Sequence, residues 1–194
     1  MQDPLQSYLT TVPREKQNAA MTAYVAQLQL VAAVNPAVAA SIVKELEAQR
    51  SHLKLIASEN YCSLNTQAAM GNLLTDKYAE GYPEHRYYGG CDNVDAVESI
   101  AAREAENLFG ADYAYVQPHS GADANLVAYW AILNCKIEMP ELAALGETNL
   151  AHLNDEQWAV LRKKLGNQRL LGLDYYSGGH LTHGYRQNIS ARMF

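Results

Sequence analysis

Cysteine is scarce in this chain. Cys62, Cys91 and Cys135 are the only three, an odd number at wide spacings. No C-x-x-C pair occurs, which argues against a zinc site and against a disulfide framework. A reducing cytoplasm fits this usage. Positive charge is also short: the formal net charge is −6 and the isoelectric point is about 5.5. Without a basic face, nucleic acid is disfavoured as a principal partner. The cluster Arg162, Lys163 and Lys164 is brief and mixed with apolar residues, and it reads as a solvated helix face. No apolar run is long enough to span a bilayer, LQLVAAV being the nearest approach, so no membrane partner is expected. The opening MQDPLQSYLTTVPREKQ carries Asp3 and no apolar centre, so it is not expected to be a secretory signal. Internal repeats and low-complexity tracts are absent too.

What is present suits a folded protein. Apolar residues make up 48% of 194 positions, enough for a substantial core in one domain or one domain plus an arm. Residues 1–17 read as a loose arm and 19–34 as a helix. Asn35 is expected to cap a further helix with Pro36 at its first position, where the missing N–H costs nothing. Val38, Ile42 and Leu46 give that helix an apolar stripe running to about His52. Residues 53–65 break the period, and 66–76 have room for a short helix. Asp95 and Glu98 form a capping box for a strong helix that Gly110 would end. ADYAYVQP reads as a strand of roughly six residues ending at Pro118, followed by the turn HSGADAN and the helix ANLVAYWAIL. Further on, HLNDEQWAVLRKKL is amphipathic, with Trp158, Leu161 and Leu165 on one side. The order helix, strand, turn, helix favours an α/β fold, its small parallel sheet only partly built by residue 194.

Four stretches carry candidate chemistry. In PHSGADAN a strand would feed a Ser-Gly turn at a helix N-terminus. Free N–H groups there favour an anion, Ser120 adds a hydroxyl, and Gly121 allows close approach. An ordinary capped turn has the same signature. In GGHLTHG, His180 and His183 lie three apart. A metal pair, an imidazole stacking on a flat ligand, and a simple turn all remain open, although no third metal ligand lies nearby. In IASENY, the polar Ser58, Glu59 and Asn60 follow apolar Leu55 and Ile56. They suit either a small polar ligand or a local turn. In KYAEGYPEHRYYGG, residues 77–90, tyrosines offer large contact area with a polar tip, as interfaces and pockets use. Glu80 there would act as an acid or base if burial raised its pKa, and would otherwise be one more solvated charge.

Read jointly, LIASENY, LTDKYAEGYPEHRYYGGCDNVDAVE, LFGADYAYVQPHSGADAN and GGHLTHG resemble the serine hydroxymethyltransferase family, nearly continuously over about 45–133 and again at 177–184. The resemblance implies the fold of pyridoxal 5′-phosphate (PLP) enzymes of the aminotransferase-like type, fold type I, with a large αβα domain that is incomplete here. Residues 1–65 would form an N-terminal arm and helices. Residues 66–194 would form the first part of the PLP-binding domain, with an insertion near 134–173. The implied reaction moves a one-carbon unit between serine and tetrahydrofolate, giving glycine and 5,10-methylenetetrahydrofolate. It would run in a cytoplasmic homodimer whose active sites are shared between subunits.

The same resemblance implies roles for single positions. Ser58 would hold the substrate carboxylate. Ser120, Gly121 and Ala122 would hold the cofactor phosphate, and His180 would stack on the pyridine ring. Gly179, His180, Leu181 and Tyr175 would line the folate site. Tyr78, Glu80 and Tyr88 would reach into the neighbouring subunit. Glu80 would handle protons near folate and the substrate hydroxyl, while the two tyrosines contact the partner's cofactor phosphate and the substrate region. The chain departs from the family pattern at Ala122, where a second serine is common. It departs again at Ser177, where histidine is common, at Tyr175, where an apolar residue is usual, and in its long 134–173 segment. None of Lys16, Lys44, Lys54, Lys77, Lys136, Lys163 and Lys164 has the Thr-rich, His-Lys context of the family's Schiff-base lysine. The chain is therefore expected to be an N-terminal piece, inactive alone, of a longer enzyme. The alternative is a non-catalytic fragment that serves only as a dimerisation or interaction module.

Overall fold

The computed structural model describes residues 3–194, which divide into two compact units, 3–94 and 95–194. In the first, α1 (Pro4–Thr11), α2 (Ala19–Val34), α3 (Pro36–Ser51) and α4 (Leu64–Met70) precede a 3₁₀ turn at Leu73–Asp76. A two-residue hairpin follows, β1 (Gly81–Tyr82) and β2 (His85–Arg86). In the second unit, α5 (Asp92–Phe109, beginning just before the division) leads to α6 (Gly121–Leu133). A π-helical turn at Asn134–Glu138 then runs into α7 (Met139–Ala144). After them come α8 (Asp155–Gly166), α9 (Leu181–Gly184) and α10 (Ile189–Met193).

Local chemistry explains most of these boundaries. Asn35 caps α3 through the N–H groups of Ala37 and Val38, with Pro36 at the first position as expected. Asn154 and Gln157 close a reciprocal capping box on α8. Leu161 of α8 is fully buried, while Trp158 lies at the edge of its stripe. Lys164 pairs with Glu141, and the basic face of α8 is exposed. Beyond α5, Gly110 takes φ +61° and the Ala111 N–H reaches back to the Glu106 carbonyl at 3.1 Å. That closure is a Schellman end.

Three expectations are corrected. Residues 1–17 are not a loose arm throughout, because α1 forms within them. Asp3 caps it by accepting from the Gln6 N–H, and Pro4 stands where no N–H is needed. Gln29 of α2 donates to the other Asp3 oxygen at 2.9 Å, tying α1 down. Asp95 does not open α5, which starts three residues earlier at Asp92. The ADYAYVQP segment runs without a ladder partner and forms no strand. A lone extended segment has nowhere to place its backbone donors. Here the Ala114 N–H goes to the Glu106 carboxylate at 3.2 Å, and the Gln117 side-chain amide donates to the Glu98 carboxylate at 2.7 Å. Among the described residues the sheet content is one antiparallel pair, Gly81 with Arg86 and Tyr82 with His85, and no parallel strands occur.

The cores are small. Leu28 and Ala39 are buried in the first unit, and Leu133, Leu142 and Leu161 in the second. Val38, Ile42 and Leu46 form the expected stripe of α3 but line an open groove of about 850 Å³ with Met21, Tyr24 and Leu64. No helix among the described residues is long and apolar enough to cross a membrane.

Candidate functional site

The candidate residues fall on both units. In the first, Ser58 occupies an exposed turn closed by the Glu59 N–H donating to the Ile56 carbonyl at 3.1 Å. Lys54 steadies that turn. Its ammonium lies 3.7 Å from the Glu59 carboxylate and 4.5 Å from the centroid of the Tyr61 ring. Leu55 and Ile56 are exposed, so the segment does not enter the interior of this chain.

The Tyr-rich loop is a small self-bonded hairpin. Pro83 and Glu84 form its two-residue turn, with Glu84 left-handed at φ +64°. Gly81 has φ +103°, and a Cβ there would collide with the His85 carbonyl, so only glycine fits. Arg86 donates from Nη1 to the Ala79 carbonyl at 2.6 Å and to the Gly81 carbonyl at 3.0 Å. The Tyr87 N–H donates to the Glu80 carbonyl at 3.2 Å. At the far end Lys77 donates to the Gly90 carbonyl, and the buried Cys91 thiol faces the Tyr78 carbonyl at 3.7 Å.

Within this hairpin Glu80 and Tyr88 come together. The Glu80 carboxylate and backbone lie close enough to the Tyr88 hydroxyl to act on its titration. Partial desolvation, followed by the negative charge of Glu80, raises the Tyr88 pKa above its usual 10.0. Tyr78 is 82% exposed and Tyr88 42%. Glu80 is exposed as well, so the burial expected for it is not supplied by this chain's own fold.

In the second unit, Ser120 is the N-cap of α6, its Oγ accepting from the Asp123 N–H at 3.1 Å. Gly121 and Ala122 are the first two helical residues. Their N–H groups have no partner inside the helix, and the space beside Gly121 is open. Asp123 in the same turn is acidic. The second turn is built by close backbone approach: at Gly179 a Cβ would meet the Leu173 carbonyl. His180 caps α9, its Nδ1 accepting from the Thr182 N–H at 3.1 Å. The neutral ring therefore carries its proton on Nε2. His183 lies with its ring centroid 5.7 Å away. Tyr175 packs edge-on against Tyr176 and Tyr185, with centroids 5.4 and 5.6 Å apart. Leu181 is exposed.

The two turns of this unit share one neighbourhood. Asn125 of α6 donates to the Thr182 hydroxyl at 3.3 Å, and Thr182 is buried. Asn125 lies five residues past Ser120, roughly 7.5 Å along a helix. His180 and the open end of α6 are thereby joined through Thr182. Sequence reasoning did not single out Asn125, Thr182, Lys54 or Arg86. Asn125 and Thr182 sit inside the quoted GADAN and GGHLTHG stretches, so position offered a signal, but nothing local showed that the two side chains meet.

Anion-type donors at a glycine-opened helix end, with an exposed imidazole nearby, suit a ligand that is anionic at one end and flat at the other. Comparisons with known proteins point to one family. A family model described as serine hydroxymethyltransferase matches residues 31–157. The serine hydroxymethyltransferase of Treponema pallidum (strain Nichols) is 66% identical over 98% of this chain and 33% of its own length. That of Mycolicibacterium smegmatis is 59% identical over 90% of this chain and 36% of its own. The enzyme of Chlamydia trachomatis serovar D is 47% identical over 97% of this chain and 38% of its own. The chain thus spans about a third of the length of the curated relatives it matches. By the extent of the family match, the chain belongs to the serine hydroxymethyltransferase family.

Proposed function

We propose that the protein carrying this chain transfers a hydroxymethyl unit between serine and tetrahydrofolate, with PLP as cofactor. The observation that carries this reading, beyond family membership, is the pairing of an open helix end at Ser120 and Gly121 with the His180 turn through Asn125 and Thr182. Those residues fit PLP. The N–H groups of Gly121 and Ala122 and the Ser120 hydroxyl would hold the phosphate, and the N-terminus of α6 favours its charge. Ala122 replaces a side-chain donor but keeps its N–H. The exposed His180 ring, oriented by Thr182, would lie on the flat cofactor. When bound, the cofactor supplies the electron sink for the reacting carbon.

The remaining residues would bind, orient and move protons. Ser58, presented on its exposed turn, would hold the substrate carboxylate. Gly179, Leu181 and Tyr175 would line the folate pocket. Tyr78, Glu80 and Tyr88 would act in a neighbouring subunit of a cytoplasmic homodimer. Their exposure here supports this, because a donated loop must be free of its own core. Burial against the partner would let Glu80 hold and deliver a proton at the substrate hydroxyl. In this reading residues 1–65 are an arm with helices, and 66–194 begin the PLP-binding αβα domain. Residues 134–173 are an insertion. The unusually large exposed apolar surface would be covered by the rest of that domain and by the second subunit.

The test is direct. The protein its gene encodes, loaded with PLP, should convert serine to glycine only when tetrahydrofolate is supplied. Glu80→Ala should cut that turnover by roughly 100-fold or more while PLP absorbance is retained. Absence of folate-dependent glycine formation in the parent protein overturns the functional reading. Unchanged turnover in Glu80→Ala removes Glu80 from the proton path.

A further inference from the structure

We infer that Arg86 is the positioning residue for Glu80. One guanidinium nitrogen bridges the carbonyl before Glu80, that of Ala79 at 2.6 Å, and the carbonyl after it, that of Gly81 at 3.0 Å. Both bonds carry a formal charge on the donor and are correspondingly strong. They fix the peptide planes that bracket Glu80. The third constraint on the same residue is the Tyr87 N–H on its own carbonyl. The antiparallel register places Arg86 opposite Gly81, and Gly81 holds a backbone angle that other residues rarely take. The hairpin thus directs a cation onto the backbone around an acidic side chain. These two bonds orient the backbone on either side of Glu80, whose carboxylate acts on the Tyr88 phenol.

Glu80 therefore reaches any neighbouring site with its backbone already set, and the ordering cost falls on the hairpin beforehand. The kinetic consequence rests on the functional reading above. The geometric one does not. Titration of Tyr88 reports the geometry, because Glu80 and Cys91 are the titratable groups that act on it, and the charge of Glu80 holds the phenol protonated.

Two measurements test the inference. In the first, absorbance at 295 nm is followed from pH 8 to 12 for the chain, with Tyr88→Phe subtracted to isolate Tyr88. Glu80→Gln should lower the Tyr88 pKa. Arg86→Met should lower it too, in the direction opposite to the effect of deleting a positive charge, because Glu80 swings away. Arg86→Lys, which keeps the charge and one donor, should fall between. A Tyr88 pKa that stays put or rises in Arg86→Met overturns the inference.

In the second, kinetics of the full-length protein should show kcat for Arg86→Met reduced roughly tenfold or more, with the KM for serine within about twofold. The double variant Glu80→Gln/Arg86→Met should be no slower than Glu80→Gln alone, since both changes remove one function. Additive losses would mean that Arg86 acts elsewhere. If the parent protein has no serine–folate activity, the functional reading fails, while the Tyr88 titration still decides the role of Arg86.

Discussion

The Tyr-rich hairpin at 77–91 and the glycine-rich turn at 172–184 both present candidate site residues, yet they are held by opposite means. The hairpin is fixed by long charged side chains on backbone carbonyls, Arg86 on Ala79 and Gly81, and Lys77 on Gly90. The turn is fixed by backbone against backbone, Gly179 and Gly184 both pressing on the Leu173 carbonyl. A part-buried side-chain bond ties it to α6, from Asn125 to Thr182. A hairpin held by charge can be built as an exposed unit and moved as a whole. A turn held by contact cannot, because its shape exists only against its own neighbours. This division suits the proposed roles, one segment donated to a partner and the other left at home beside the cofactor.

The sharpest way to break the comparison is to add one methyl to each kind of support. Gly179→Ala places a Cβ on the Leu173 carbonyl, with backbone on both sides and no side chain to yield. The expected cost is about 3 kcal/mol, from overpacking that the turn cannot relax, read as a lowered urea midpoint of the second unit. The hairpin should not respond: Tyr88 should titrate as before. If Gly179→Ala proves neutral, the turn is softer than its contacts imply and the contrast collapses.

The same contrast explains what was legible in the sequence. Helix caps were, because they are written in adjacent residues: Asn35 with Pro36, Asn154 with Gln157, Gly110 after α5. The Ser120 turn was legible for the same reason. The ADYAYVQP strand was misread because its β-type pattern is local, while a strand exists only with partners, and none lies among the described residues. The α1 helix was missed although Asp3 and Pro4 write its cap locally; the Gln29 bond that ties it down spans 26 positions. Arg86 looked like one more polar residue of an aromatic loop. Its role depends on hairpin register, which composition does not display. The pairing of Asn125 with Thr182 crosses 57 positions and had no local signature at all.

A smaller change probes the polar link of the turn. Thr182→Val keeps the shape but removes the hydroxyl that accepts from Asn125. A half-buried amide loses its partner, at a cost of about 1 kcal/mol. Heteronuclear NMR of the chain should show shifts running from α9 into the first turns of α6, reaching Ser120. Shifts confined to residues 180–184 would mean that the two turns are neighbours without being coupled.

The smallest expected effect, and the one of opposite sign, lies in the hairpin. Glu84 is left-handed at φ +64° in a turn that begins with Pro83. A proline followed by a residue of positive φ is the signature of a type II turn, where glycine or asparagine is preferred. A left-handed glutamate carries roughly 1–2 kcal/mol of strain. Glycine removes that strain but costs about 0.4–1 kcal/mol in the unfolded chain. Glu84→Gly should therefore stabilise the first unit by about 0.5 kcal/mol, and Glu84→Val, branched at Cβ, should destabilise it by about 1 kcal/mol. Urea unfolding of the three proteins measures the ranking. The order glycine, glutamate, valine would show that the hairpin is set by its backbone and its Arg86 clasp. An order in which glutamate is the most stable would show that the Glu84 side chain outweighs its own strain, making the turn a second place where a charge holds the loop.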